Sequence, residues 1–164
     1  MYTMTKEKIT NKEAVIGIIG LGYVGVPTAV AKAQDGYRVI GFDVSIDKVM
    51  QLNNGHSYIQ DVEEEKLAAL VRSDQFQATT DFSRLREVDV VMICVPTPID
   101  EFKNPDLTFV EQAVGTIASH VTEGTVVILE STTYPGTTEE IVVPAFSSFT
   151  IGVNIFIAYS PERI

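Results

Sequence analysis

Cysteine, tryptophan and basic residues are scarce in this 164-residue chain: it has one cysteine, no tryptophan, and 12 lysines and arginines against 22 acidic residues. A single cysteine, Cys94, cannot build an internal disulfide framework and is typical of a reducing compartment, so a cytoplasmic protein is expected. The net charge of −10 argues against nucleic acid and against an anionic membrane surface as partners, because both need a basic face. A small phosphate-bearing ligand is still possible, because backbone N–H groups can hold it.

Long apolar runs are also missing, although 45% of the residues are hydrophobic. None approaches the roughly 20 residues that cross a membrane as a helix. The first 13 residues are polar and lack the apolar stretch of a secretory signal, so they are predicted to be a flexible leader. No group of His, Cys and Asp has the spacing of metal ligands, and no metal site is predicted. Residues 14–164 are long enough for one domain with a substantial core.

Strand-like and helix-like patterns alternate along this domain. Apolar strands are predicted over residues 14–20, 37–43, 76–79, 88–95, 125–130 and 155–159. Helices are predicted between them, over residues 24–34, 45–52, 61–71, 107–121 and 137–146, the last interrupted by Pro144. Continuous apolar strands are buried on both faces, and repeated βα units form parallel sheets. The chain is therefore predicted to have an α/β fold, with a doubly wound, mostly parallel sheet and helices on both faces.

A glycine-rich turn follows the first predicted strand, in the pattern G-x-G-x-x-G. Gly20 would allow the tight turn, Gly22 would let a pyrophosphate approach the backbone, and Gly25 would let the helix pack closely on the strand. The start of the following helix offers N–H groups and a partial positive charge to phosphates. A turn with a purely structural function is the alternative. A dinucleotide site is therefore predicted at this turn.

An acidic residue, Asp43, ends the second predicted strand, about 20 residues beyond the glycines. Its carboxylate can accept hydrogen bonds from both ribose hydroxyls and would repel the 2′-phosphate of NADP, so NAD is the predicted cofactor. Lys48 follows about one helical turn later. It either softens this preference or lies along the adenosine.

Two further loops follow predicted strands at the same edge of the sheet. The first, Val95 to Pro98, has two prolines and is stiff and extended. It would lie against the nicotinamide-side ribose, with the Thr97 hydroxyl as a hydrogen-bonding group, or serve as a rigid exit turn. The second loop, over residues 130–138, is rich in hydroxyls and ends in Pro-Gly before a helix, which fits either a ligand site or ordinary capping. Glu162 follows the last strand, as a general base or as a solvated glutamate.

Five segments of the chain together resemble one protein family. They are GLGYVGVPTA from Gly20, GFDVSIDKV from Gly41, VPTPID from Val95, ESTTYPGTTEE from Glu130 and YSPERI from Tyr159. The chain is similar to the N-terminal NAD-binding domain of the UDP-glucose/GDP-mannose dehydrogenase family, the NAD-dependent nucleotide-sugar 6-dehydrogenases. VPTPID and ESTTYPGTTEE look most like the branch that oxidises UDP-N-acetylglucosamine or its epimer. The resemblance implies a Rossmann-like fold over residues 14–164.

The resemblance also implies functions for single residues. NAD would lie over the glycine-rich turn, with Asp43 on the ribose. The pyrophosphate contacts would come from Gly20, Leu21, Gly22, Tyr23, Val24 and Gly25. Thr132 would help to position the catalytic water, and Glu162 would be the general base for hydrolysis. Further cofactor contacts would come from Lys48, Val95, Pro96, Thr97, Pro98, Ser131 and Thr132.

The reaction implied by the resemblance converts the C6 alcohol of a UDP-sugar to a carboxylate with two NAD, through a thioester on a cysteine. In the family, that cysteine and the groups around it lie in later segments, which match nothing in these 164 residues. Cys94 is interpreted as an inert core thiol. The chain alone is therefore expected to bind NAD without oxidising a sugar, and the full-length enzyme to be a homodimer or larger and to supply polysaccharide precursors. A stand-alone NAD(H) sensor is the alternative, and another Rossmann dehydrogenase is a weaker one.

Overall fold

One six-stranded sheet forms the centre of the molecule, which a computed structural model describes over residues 2–99 and 104–161. The strands are β1 (Val15–Ile19), β2 (Arg38–Phe42), β3 (Phe76–Thr79), β4 (Val90–Ile93), β5 (Val126–Leu129) and β6 (Phe156–Tyr159). They lie in the order β3-β2-β1-β4-β5-β6, and every neighbouring pair is parallel. The chain order reverses between β1 and β4, which is the doubly wound arrangement that the sequence predicts.

One helix precedes the first strand, and the others lie between the strands at nearly the predicted positions. They are α1 (Tyr2–Thr10), α2 (Gly25–Gln34), α3 (Ile46–Asn53), α4 (Glu64–Arg72), α5 (Thr108–His120) and α6 (Val143–Ala145), with a 3-10 helix over Phe82–Glu87. Ser45 caps α3, because its hydroxyl accepts a hydrogen bond from the Lys48 amide. The segment Thr138–Val142 is π-helical and leads into α6. Pro144 has no N–H to donate, so a regular α-helix cannot run through this segment.

A hydrophobic core lies on each face of the sheet. On one face, Val26 and Ala29 of α2 and Leu67 of α4 pack against alternate side chains of β1 and β2. On the other face, Val110 and Ile117 of α5 pack against the side chains that point the opposite way. Each fully buried aliphatic side chain contributes about 1.5–3 kcal/mol relative to exposure. Helices on both faces are thus confirmed.

The first residues of the chain differ from the predicted flexible leader, because residues 2–10 form α1, which packs on the body of the domain. The Thr5 hydroxyl is buried and donates to the Gly124 carbonyl at 2.8 Å. The Lys8 ammonium lies 2.6 Å from the Asp89 carboxylate. Asp89 directly precedes β4 and Gly124 lies two residues before β5, so α1 covers the edge where the strands begin. These bonds join distant parts of the chain, which is why the polar composition of the segment did not reveal them.

Candidate functional site

A cavity of about 790 Å³ opens at the carboxyl ends of β1, β2, β4 and β5, where the strand order reverses. In parallel α/β sheets this is the place where ligands bind. The cavity brings together most of the predicted cofactor contacts: Gly20, Leu21, Gly22, Tyr23, Val24, Asp43, Lys48, Val95, Pro96, Thr97, Ser131 and Thr132. Sequence reasoning did not assign four other lining residues to the site: Tyr58, Ile59, Cys94 and Glu130.

The three glycines of the turn meet three different constraints. Gly20 has a φ of +91°, and a Cβ there would lie 2.8 Å from the Cys94 carbonyl oxygen. A Cβ on Gly25 would lie 1.8 Å from the Gly20 carbonyl oxygen, so α2 begins directly against the turn. A Cβ on Gly22 would meet no atom of the described residues within 4 Å. The turn is thus closed below, where Gly25 lies beneath the cavity rather than on it, and open above Gly22 to an approaching group.

Asp43 is 8% exposed and is held by two backbone amides. Its Oδ2 accepts a hydrogen bond from the Leu21 N–H and its Oδ1 accepts one from the Ser45 N–H, both at 2.9 Å. The Lys48 ammonium lies 3.5 Å from Oδ2. Because each carboxylate oxygen can accept more than one hydrogen bond, Asp43 keeps acceptor capacity toward the cavity. This is the geometry that a ribose diol needs.

Tyr58 reaches the site from the loop between α3 and α4. Its hydroxyl donates to the Leu21 carbonyl at 2.6 Å, and its ring centroid lies 6.0 Å from the Lys48 ammonium. Burial and the negative charge of Asp43 raise the pKa of Tyr58 well above its ordinary value. Sequence reasoning missed this residue because no spacing rule connects a loop between two helices to the glycine-rich turn. An aromatic side chain in a polar loop was the available signal.

The loops that follow β4 and β5 are joined by two hydroxyl groups. The Thr97 hydroxyl donates to the Thr132 carbonyl at 2.8 Å, and the Ser131 hydroxyl donates to the Val95 carbonyl at 2.7 Å. Thr132 also lines a second cavity of about 680 Å³, which extends past the end of β6. Thr132 therefore stands at the junction of the two cavities.

Two predicted site residues do not join the others. Pro98 lies beyond the described lining of the cavity, and its carbonyl accepts a hydrogen bond from the Asp106 amide at 2.7 Å. Its cofactor contact therefore stays a prediction. Glu162 falls outside the described residues, so its predicted function as a general base remains a prediction.

Glu130 and Cys94 occupy equivalent positions, each directly after an apolar strand. Glu130 follows β5 and is 8% exposed, and Cys94 follows β4 and is 7% exposed. Both line the cavity. Both could have been predicted as site residues from their position at the carboxyl ends of predicted strands, where site residues of α/β proteins lie.

An apolar slot of about 500 Å³ lies beside Asp43 and shares part of its lining with the first cavity. Its apolar lining includes three aromatic side chains, those of Phe42, Phe82 and Phe109, and the aliphatic Val44. Such a slot suits a planar heteroaromatic ring next to a ribose.

In the described part of the chain, no three His, Cys, Asp or Glu side chains are grouped so that they could hold a metal ion. Nor does any helix of residues 2–99 and 104–161 have the length and apolar character needed to span a membrane.

Comparison with known proteins gives the family. Residues 14–164 match the model of the UDP-glucose/GDP-mannose dehydrogenase family, NAD-binding domain. The chain is 39% identical to UDP-N-acetyl-D-glucosamine 6-dehydrogenase of Salmonella typhi over 155 residues, which are 93% of this chain and 36% of that protein.

Solved structures agree with this match. UDP-N-acetyl-D-mannosamine dehydrogenase of Pyrococcus horikoshii superposes with a TM-score of 0.86 at 34% identity, over 92% of this chain and 36% of that one. GDP-mannose dehydrogenase of Pseudomonas aeruginosa gives a TM-score of 0.83 at 32% identity, over 91% and 36% of the two chains. The chain thus spans about a third of the length of these relatives. It belongs to the UDP-glucose/GDP-mannose dehydrogenase family and carries the NAD-binding domain of that family.

Proposed function

We propose that the cavity at the carboxyl ends of β1, β2, β4 and β5 binds NAD with its pyrophosphate over the glycine-rich turn. The observation that carries this proposal is the joint arrangement of turn and acid. The space above Gly22 is open, and the Asp43 carboxylate is tied to the amide of the neighbouring Leu21. Phosphates and ribose diol would thus be received by groups that already hold each other in place.

This placement of the pyrophosphate also sets where the adenine and the nicotinamide would lie. The adenine would enter the apolar slot walled by Phe42, Phe82 and Phe109, with its ribose on Asp43. The nicotinamide would lie toward the joined loops that contain Thr97 and Thr132. The cofactor-binding residues are then the twelve predicted residues that line the cavity, with Gly25 supporting the turn from below.

The carboxylate of Asp43 also sets the cofactor preference. It is nearly buried and held by two amides, so it cannot swing away from a 2′-phosphate on the adenosine ribose. Lys48 is partly exposed and 3.5 Å away, and it would offset part of this repulsion. NAD is therefore expected to bind more tightly than NADP.

In the whole protein, the bound cofactor would take up a hydride from the C6 carbon of a UDP-sugar. The part played by this domain is to fix the cofactor and to border the sugar with the second cavity, where Thr132 would hold the water that later cleaves a thioester. Glu162 is proposed as the base for that water. The named relatives support UDP-N-acetylhexosamines as substrates, because two of them are dehydrogenases of UDP-N-acetylglucosamine and UDP-N-acetylmannosamine.

These 164 residues are proposed to bind NAD without oxidising a sugar by themselves. Cys94 is buried beneath the cavity that the cofactor would fill, so a sugar C6 could not reach its sulfur. The whole enzyme is proposed to act as a homodimer or larger assembly. A stand-alone NAD(H) sensor gains no support from the relatives named above, which are all dehydrogenases.

Titration calorimetry of this chain with NAD tests the proposal. We expect wild-type binding, a loss of at least about tenfold in Asp43→Ala because a charged hydrogen-bond acceptor is removed, and no change in Asp47→Ala. Asp47 is the matched control, since it lies on the exposed surface of α3 close to the site. Wild-type protein mixed with NAD and either UDP-N-acetylhexosamine should produce no NADH. Equal affinities of wild type and Asp43→Ala would contradict the proposed site.

A further inference from the structure

The peptide group between Leu21 and Gly22 is held from outside the turn. The Leu21 carbonyl accepts a hydrogen bond from the Tyr58 hydroxyl at 2.6 Å. The Leu21 N–H donates to the Asp43 carboxylate at 2.9 Å, and the Leu21 side chain is fully buried. Leu21 is therefore fixed at its amide, at its carbonyl and in the core, and two of these three restraints come from residues far along the chain.

Fixing the Leu21 carbonyl has a consequence for Gly22. The carbonyl of one residue and the N–H of the next belong to one planar unit and, in a trans peptide, point in opposite directions. A bond that sets the direction of the Leu21 carbonyl thus also sets the direction of the N–H of Gly22, a residue that lines the cavity. Glycines leave the backbone unusually free, so a turn with Gly20 and Gly22 needs such a restraint to keep one conformation.

We infer that Tyr58 is a cofactor-positioning residue, which locks the glycine-rich turn in the conformation that receives the pyrophosphate. The inference rests on the proposed NAD site. A turn that is ordered before NAD arrives loses less conformational entropy on binding, and the affinity rises accordingly. Tyr58 acts through the turn and not by contact with the reacting atoms.

The surroundings of Tyr58 suit this function. A tyrosine hydroxyl is protonated at neutral pH and can donate, and burial and the charge of Asp43 raise the pKa of Tyr58 further. Its ring faces the Lys48 ammonium at 6.0 Å, and the same ammonium lies 3.5 Å from the Asp43 carboxylate. One aromatic ring, one cation and one carboxylate thus enclose the end of the cavity where the turn and the ribose-binding acid meet.

The test compares Tyr58→Phe with Tyr37→Phe. Tyr37 is the matched control, because its hydroxyl also donates to a backbone carbonyl, that of Ile9 at 2.9 Å, but at the opposite edge of the sheet. Loss of one hydrogen bond should raise the Kd for NAD roughly 3- to 10-fold in Tyr58→Phe and leave it unchanged in Tyr37→Phe. Both variants should have a lower Tm. In NMR spectra of the unliganded chain, the Gly22 amide signal should move in Tyr58→Phe and stay in place in Tyr37→Phe.

The outcomes separate this inference from the proposed function. If wild type does not bind NAD, the proposed function fails, and this inference fails with it. If wild type binds NAD and Tyr58→Phe binds it equally well, the inference alone is overturned. It is also overturned if Tyr37→Phe weakens NAD binding as much as Tyr58→Phe, because the effect would then follow general stability. Phenylalanine keeps the ring, and the Tm measurement shows that each variant is folded.

Discussion

An aspartate–amide hydrogen bond occurs at each of two edges of the sheet: the amino edge, where the strands begin, and the carboxyl edge, where they end. At the amino edge, Asp89 accepts a hydrogen bond from the Val15 amide at 2.9 Å, directly at the start of β1. At the carboxyl edge, Asp43 accepts one from the Leu21 amide, also at 2.9 Å, just after β1 ends. Each carboxylate also has a lysine beside it. A single strand is thus held at both ends by an aspartate–amide bond.

What differs is how each aspartate is covered. The lysine of Asp89 comes from α1 and lies 2.6 Å away, and the cavity beside α1 measures about 90 Å³. The lysine of Asp43 lies 3.5 Å away, and the carboxylate faces a cavity of about 790 Å³. The amino edge is closed by a helix that pairs the charge. The carboxyl edge leaves the charge with acceptor capacity, and this is what makes it fit to bind a ligand.

The largest expected effects come from two glycines of the turn: Gly25, which supports the turn, and Gly22, which borders the proposed binding surface. Gly25→Ala should destabilise the domain by about 3 kcal/mol or more or prevent folding, because its Cβ would lie 1.8 Å from the Gly20 carbonyl oxygen. Gly22→Ala should change stability by less than about 1 kcal/mol, since its Cβ enters open space, yet weaken NAD binding by at least roughly tenfold. Urea unfolding and calorimetry measure both. A Gly22→Ala variant that binds NAD like wild type would show that the open space does not receive the phosphates.

The next prediction removes the aspartate of the closed edge. Asp89→Ala should lower the free energy of unfolding by about 1–3 kcal/mol, because it removes the acceptor of the Val15 amide and the partner of Lys8. Its affinity for NAD should equal that of wild type, since Asp89 lies at the far edge of the sheet. Lys8→Ala is the control and should cost less than about 1 kcal/mol, because Lys8 is half exposed. A loss of NAD affinity in Asp89→Ala would mean that the two edges are coupled through β1.

Local patterns explain why so much of the carboxyl edge could be predicted. The strand β3 lies where the sequence predicts it, and β4 occupies residues 90–93 within the predicted 88–95. The glycine-rich turn and Asp43 could be predicted as a dinucleotide site because that motif sets a residue type at a fixed distance along the chain. The periodicity of apolar residues and the turn chemistry both act over short range, so the sequence displays them directly.

The unpredicted features depend on contacts between distant residues. The bond from Tyr58 to Leu21 spans 37 positions, and the bond from Thr5 to Gly124 spans 119. Nothing in the polar segment that becomes α1 shows which carbonyl will accept the Thr5 hydroxyl. Pro98 lies outside the cavity lining, and its cofactor contact stays a prediction, because a loop's direction is set by what it packs against. Spacing rules identify the elements of a site, whereas the groups that hold those elements are known from the fold.

The smallest expected effect concerns a third aspartate–amide bond, which lies in solvent. Asp81 follows β3, is exposed, and accepts a hydrogen bond from the Ser83 amide at 3.0 Å. Hydrogen bonding to the Ser83 side chain and then to the Ser83 amide lowers the pKa of Asp81, so the stabilisation is present above the unfolded-state pKa of about 4. The stabilisation is lost as the pH falls through the lower folded-state pKa.

Asp81→Asn isolates this contribution, because asparagine can still cap the 3-10 helix but does not titrate. Wild type should have the slightly higher Tm at neutral pH, and the difference between the two proteins should shrink as the pH falls below about 4. The other carboxylates titrate in both proteins and cancel in the difference. A difference that stays constant through this range would show that the charge of Asp81 adds nothing to the bond. Asp81 is exposed whereas Asp89 is partly buried, so a small effect here beside a larger loss in Asp89→Ala would agree with a stronger contribution from a buried carboxylate.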